Sequence, residues 1–271
     1  MSFDQIERSN YDGKPILLYE FVHGSTVWRY NGGQKDLTLN GVLYEAIPVS
    51  HEGYSMSGNP TSDDITISIS MRAGVTDLFN GTPPSRSIQV SIRTLHFGDK
   101  EAPVVWSGII KSMRRASTVE AKFNCNSLLS TLNRNGLRLS WQRGCPHALY
   151  DNLCRVNPAD YGTAVQVNAV IGDHVEAAGA TGLPNGYLNG GYLSFTTAHG
   201  TTETRAIEEH WQNRIRLLGA ADGMTVGQWI IVYPGCDRTS GTCINKFNNL
   251  SNYGGFPHLP NKSPFDGDPV F

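Results

Sequence analysis

Apolar side chains fall on every second position through much of the first 130 residues. In the run from Asp63 to Met71, Ile65, Ile67, Ile69 and Met71 share one face, while Thr66, Ser68 and Ser70 share the other. That is the period of a strand with one buried face. Ser87-Ile88-Gln89-Val90-Ser91-Ile92-Arg93 repeats the pattern. It then slips phase at Leu95 and Phe97, as a bulge would cause. Asn40-Gly41 between Leu39 and Val42 predicts a two-residue hairpin turn, because both residues accept positive φ. Residues 104–113 and 119–125 predict a further strand pair, with Val119, Ala121, Phe123 and Cys125 on one face and Cys125 as a core thiol. Helical signals are short, at 3–9, 75–80 and 128–133. Residues 1 to about 135 therefore predict one β domain.

The second half has a different texture. Strand signals recur at 164–171, 192–197, 203–208, 214–218 and 228–233, divided by turns such as Gly182-Leu183-Pro184-Asn185-Gly186 and Asn189-Gly190-Gly191. They predict a small barrel or sandwich at about 156–233, inserted within a second domain that spans 136–271. Residues 259–271 form a Pro- and Asp-rich tail without periodicity, and no internal repeat is present. The fold class is mainly β.

Composition narrows the partners. The 22 basic residues nearly balance the 24 acidic ones, for a formal charge of −2. That balance gives no electrostatic basis for binding nucleic acid or an anionic membrane. The longest apolar run, Trp229-Ile230-Ile231-Val232-Tyr233, is far below the roughly 20 residues of a membrane span, so no transmembrane segment is expected. MSFDQIERSN does not read as an export signal, so synthesis and assembly in a cytoplasm are expected.

Four of the five cysteines form two pairs, Cys145 with Cys154 and Cys236 with Cys243, in loops rich in Gly, Pro, Asp and Asn. Packing gives little reason for thiols there. Disulfides are one reading, opposed by the reducing cytosol. Zinc is another, although its sites favour tighter knuckles than these C-x8-C and C-x6-C spacings. An iron–sulfur cluster tolerates wide spacing. Spacing alone does not choose between zinc and the cluster.

The stretches Arg143-Gly144-Cys145-Pro146 through Leu153-Cys154, and Pro234-Gly235-Cys236-Asp237-Arg238-Thr239 through Thr242-Cys243, belong to a longer paired pattern. The second continues into Lys246-Phe247-Asn248-Asn249 and Asn252-Tyr253-Gly254-Gly255-Phe256-Pro257. This pattern resembles the signature of baseplate hub and tail-tip proteins of long-tailed phages, the lambda tail-tip L protein among them, and of gene transfer agents. The resemblance covers about residues 143–260, and before them only the layout agrees. It implies a tail-tube-like N-terminal domain and a 4Fe–4S cluster held by Cys145, Cys154, Cys236 and Cys243. It also implies a homotrimer around the tail axis, between the distal tail protein and the central, fibre-bearing hub, in the virion baseplate. Arg238, Thr239, Lys246 and Asn248 then become candidate donors to the sulfurs. His258, which departs from the family pattern by standing between Pro257 and Leu259, becomes a candidate neighbour of the metal.

A tail-associated cell-wall hydrolase is the competing class, raised by Cys145 with His147 two residues on. A Cys–His dyad needs a base placed by the fold, which a Cys-Pro-His tripeptide does not supply. Asp63-Asp64 and Glu208-Glu209 are adjacent pairs that point to opposite faces of a strand. His51, His96, His174, His199 and His210 show no triad or metal-ligand spacing. No catalytic residue is assigned and no enzymatic activity is expected.

Overall fold

The computed structural model of the chain describes residues 6–8, 15–53, 64–96, 98, 100–128, 130, 136, 139–198 and 200–260. The expected helices at 3–9 and 128–133, the residues Asp63 and Phe97, and all but the first two residues of the 259–271 tail lie wholly or largely outside these. The chain divides into two compact units, Met1–Arg134 and Asn135–Phe271. Among the described residues no helix is long and apolar enough to cross a membrane.

The first unit is a nine-stranded sheet. Its strands are β1 (Pro15–His23), β2 (Thr26–Asn31), β3 (Leu37–Leu39), β4 (Val42–Ala46), β5 (Val49–His51), β6 (Ile65–Ser70), β7 (Gln89–His96), β8 (Val104–Arg115) and β9 (Glu120–Ser127), and the short helix α1 (Gly74–Asp77) follows β6. The order across the sheet is β3-β4-β2-β1-β7-β8-β9-β6-β5. β4 therefore lies near one edge and β5 at the other, yet only Ile47 and Pro48 separate them. So short a link forces the sheet to curl. The link is pinned on both sides, Ile47 N donating to Asn31 O (3.2 Å) and Ser70 N to Pro48 O (2.9 Å). Inside the curl Phe21, Ile67, Val90, Ile92, Ala121 and Phe123 are fully buried.

The expected alternation is present where it was strongest. β6 buries Ile65, Ile67 and Ile69 and leaves Thr66, Ser68 and Ser70 half-buried. Asn40 (φ 51°) and Gly41 (φ 81°) make the two-residue turn between β3 and β4, with Leu39 opposite Val42. A register shift occurs in β7, between Ile92 and Arg93 against β8. Val119 is a correction. It is exposed and precedes β9, because Ser117 Oγ accepts from its amide and holds it in the turn. Cys125 is buried, and desolvation pushes its thiol up to about 12.

The second unit is built on a seven-stranded sheet: β10 (Thr163–Gln166), β11 (Ala169–Ile171), β12 (His174–Glu176), β13 (Tyr192–Thr196), β14 (Thr202–Trp211), β15 (Arg214–Leu217) and β16 (Trp229–Tyr233). The order is β10-β16-β13-β14-β15-β12-β11. The two edge strands are again neighbours in sequence, separated by Val167 and Asn168, so this sheet also curls. The single strand expected at 164–171 is thus two strands at a corner, fixed by Asn168 Oδ1 accepting from Ala178 N at 2.6 Å. β12 was not expected, because three residues are too few for an alternation signal. Val165, Val175, Leu188, Leu193, Ile207, Ile215, Ile230 and Val232 fill the interior. Glu203 and Arg205, one face of β14, add a buried ion pair (3.3 Å).

Gly191 and Gly235 let two backbones cross where β16 ends. A Cβ on Gly235 would fall inside contact distance of Asn189 O and Gly191 N, both backbone atoms that cannot rotate away. Gly235→Ala should therefore destabilise the second unit by at least ~2–3 kcal/mol. Gly182→Ala, where a Cβ meets open space, should stay within ~0.5 kcal/mol. Urea unfolding followed by fluorescence checks both, and equal midpoints for the two variants would show that the crossing is loose.

Candidate metal centre

The cysteine loops meet because of one strand pairing. β10 and β16 are antiparallel, with Thr163 opposite Val232. The residues just before β10 and just after β16 therefore leave the sheet at the same end, and Cys154 and Cys236 follow them there. Residues about 70 positions apart in the chain, Thr163 and Val232, thus lie one strand spacing apart.

Local chemistry shapes each loop. In the first, Asp151 Oδ1 accepts from the amides of Leu153 (2.9 Å) and Cys154 (2.6 Å), and its Oδ2 accepts from Ala148 N (3.2 Å). This Asx turn presents Cys154. In the second, Thr239 caps α2 (Ser240–Asn245), its hydroxyl accepting from Thr242 N at 3.2 Å, and the helix buries Cys243. The loops are tied directly, Cys145 N donating to Arg238 O at 2.9 Å. Tyr253 reaches both, its hydroxyl 2.8 Å from Arg143 O and 3.3 Å from Arg238 O. Side chains on Gly254 and Gly255 would collide with the His147 ring and with Arg143 O. This is the packing reason for the Tyr-Gly-Gly sequence.

The result is a cavity of about 140 Å³ whose wall includes the sulfurs' residues Cys145, Cys154, Cys236 and Cys243 together. All are free thiols. Three receive hydrogen bonds or lie at the outer limit of one. Arg238 N donates to Cys236 Sγ (3.3 Å), Gly254 N to Cys145 Sγ (3.4 Å) and Asn249 Nδ2 to Cys154 Sγ (3.8 Å). Burial is the chief cause that pushes the Cys236 and Cys243 thiols up, and the neighbouring thiols push them further. A bound cation would reverse that balance. Among the described residues no three His, Cys, Asp or Glu side chains lie close enough to enclose a single metal ion.

Strain concentrates here. Among the described non-glycine residues six have positive φ, and four of them, Tyr150, Arg155, Arg238 and Asn248, flank the cysteines. Each costs of order 1–3 kcal/mol and persists because its surroundings impose it. Beneath the cavity lies an aromatic layer, with Tyr192 stacked on Tyr233 (4.5 Å) and Phe247 edge-on to Tyr150 and Tyr161.

The candidate donors fare differently. Arg238 acts through its amide, and Thr239 lines the cavity as the helix cap. Lys246 donates instead to Tyr187 O (2.5 Å) and Gly235 O (2.7 Å), with its ammonium over the Tyr187 ring. Asn248 does not line the cavity. It holds the left-handed turn after α2, and Asn249 beside it points inward. His258 is not on the wall, whereas His147 is, with Nδ1 3.1 Å from Asn252 O. Sequence reasoning missed Asn249, Asp151 and the Gly254 amide. An Asp three residues ahead of a cysteine was the available signal for Asp151.

Residues 23–157 match the family model described as baseplate hub protein, N-terminal attachment domain, and residues 186–263 match that of phage conserved hypothetical protein BR0599. Each match contains one of the two cysteine pairs. An uncharacterized protein of Xylella fastidiosa (strain 9a5c) is 23% identical in an alignment of 169 residues that covers 57% of this chain. The match spans only 35% of that relative's length. A chain in the virion of the native gene transfer agent particle shares the fold, with a TM-score of 0.83 and 18% identity over 99% of this chain and 96% of that one.

The thiols differ in exposure in a way that labelling can read. Cys154 and Cys236 are half-buried, and Cys125 is enclosed in the first unit with its thiol pushed up to about 12. In reduced chain stripped of metal, iodoacetamide should modify Cys154 and Cys236 roughly tenfold or more faster than Cys125. Peptide mass spectrometry measures this, and similar rates for all three would contradict the burial pattern.

Proposed function

We propose, for a chain that belongs to the phage baseplate hub and tail-tip family and so is a structural component of the virion tail, that the second unit is fastened by a 4Fe–4S cluster. Cys145, Cys154, Cys236 and Cys243 hold it. The observation that carries this reading is the convergence of four free thiols on one cavity, with amides directed at their sulfurs. The donor set fits. Four cysteine thiols on one cavity wall match the four-thiolate ligand set of such a cluster.

The cluster supplies four iron–thiolate bonds that cross-link the two loops. The chain's own residues do the rest. Asp151 and Thr239 present the ligands, Tyr253 and the Cys145–Arg238 bond hold the loops in register, and Lys246 latches the Cys236 loop to Tyr187 of the barrel. The loops need this help. In residues 139–160 and 234–260, Val156, Phe247 and Pro234 are the buried apolar side chains besides cysteines among the described residues. That is little apolar area against the entropy of ordering some fifty residues, at roughly 1–2 kcal/mol each for the backbone.

In the particle, three copies ring the tail axis between the distal tail protein and the central hub. The hub match over 23–157 supports a place in the baseplate, and the copy number and neighbours are what the resemblance to the tail-tip family implies. Closed rotational symmetry is the common way for identical subunits to satisfy identical surfaces.

Protein purified without oxygen should be brown and contain about four irons and four acid-labile sulfides per chain. Cys154→Ser or Cys243→Ser should lose them, and Cys125→Ser should keep them. Stoichiometric zinc without sulfide would overturn the cluster. Cryo-electron microscopy of particles tests the ring, which a single copy on the axis would rule out.

A further inference from the structure

We infer that Asn249 is a positioning residue that sets the electronic character of this centre through Cys154. The inference rests on the cluster reading and extends it to a residue outside the ligand set.

Asn249, like Arg238, touches both cysteine pairs through polar atoms, and it does so with a side-chain amide. Its Nδ2 lies 2.6 Å from Cys154 O and 3.8 Å from Cys154 Sγ. Its amide donates to Cys243 O at 3.0 Å, and its carbonyl accepts from Cys243 Sγ at 3.2 Å. The thiol proton in that last contact leaves when Cys243 ligates iron. The side-chain amide keeps its protons in every state, so it is the permanent donor.

The amide is also held in orientation. Asn252 Nδ2 donates to Asn249 Oδ1 at 2.6 Å, which turns the NH2 end toward Cys154. Asn252 is held in turn, its own amide on Asn249 O and its carbonyl against His147 Nδ1. Asn249 is only 8% exposed, so water does not compete for the donor. A hydrogen bond to a thiolate sulfur spreads its negative charge, which favours the reduced and more negative cluster and raises the potential.

The test uses full-length protein purified without oxygen, as wild type, Asn249→Leu and Asn249→Asp. Reduction potentials are measured by spectroelectrochemical titration, alongside iron and sulfide content. Both variants should retain the cluster at a more negative potential than wild type. The shift should be larger for Asn249→Asp, which loses the donor and adds negative charge. Unchanged potentials with full iron content would overturn the inference. If both variants come without iron, Asn252→Ala is the deciding arm. It should keep iron and shift the potential the same way by less, and no shift there overturns the proposal. Failure of the underlying cluster reading is separable, because it shows in the wild type as absent iron and sulfide.

Discussion

The antiparallel register of β10 on β16 is what the rest of the second unit depends on. Thr163 opposite Val232 places the start and the end of the inserted sheet side by side. Closing so long a loop costs entropy that grows only slowly with length, and the barrel's own core offsets it. The cysteine loops inherit that proximity without contributing to it. A one-residue slip would turn Val165, Ile230 and Val232 outward, so the packed interior enforces the register that aligns the thiols.

The same geometry explains what the sequence could and could not reveal. Alternation in β6 and the Asn40-Gly41 turn were legible because each is decided by a few adjacent residues. The break between β10 and β11 was not. Val167-Asn168 carries no strong turn signal, and the corner exists because the two sheet edges must approach each other. Val119 misled for a local reason, a serine hydroxyl upstream that holds it outside the strand. At the site, the four cysteines stood out by composition and by family resemblance. Their neighbours did not. Whether Asn248 or Asn249 turns inward depends on one left-handed residue after α2, which a pattern of two asparagines does not encode.

Curling recurs as the solution to strand edges. In each unit a two-residue link joins strands at or near opposite sides of the sheet, Ile47-Pro48 in the first and Val167-Asn168 in the second. Free edges are templates for unwanted pairing, and proteins that assemble at high local concentration have particular reason to remove them. Charge offers little protection here, at a formal net charge of −2.

A metal-type fastening at the loops follows from the same economy. The barrel spends its apolar residues inside the curl and leaves the loops with glycines, asparagines and strained backbone. More hydrophobic loops would enlarge an apolar surface already exposed at Trp141 and Phe256, whose rings stack 4.5 Å apart near the cysteines. Under the proposed cluster, four bonds from four small side chains would constrain the backbone without that area, once the strand pairing of the insert has brought the cysteine loops to one end. Polar loops, positive-φ turns and clustered thiols are thus one arrangement, whose geometry is set by the sheet at the end where β10 begins and β16 finishes.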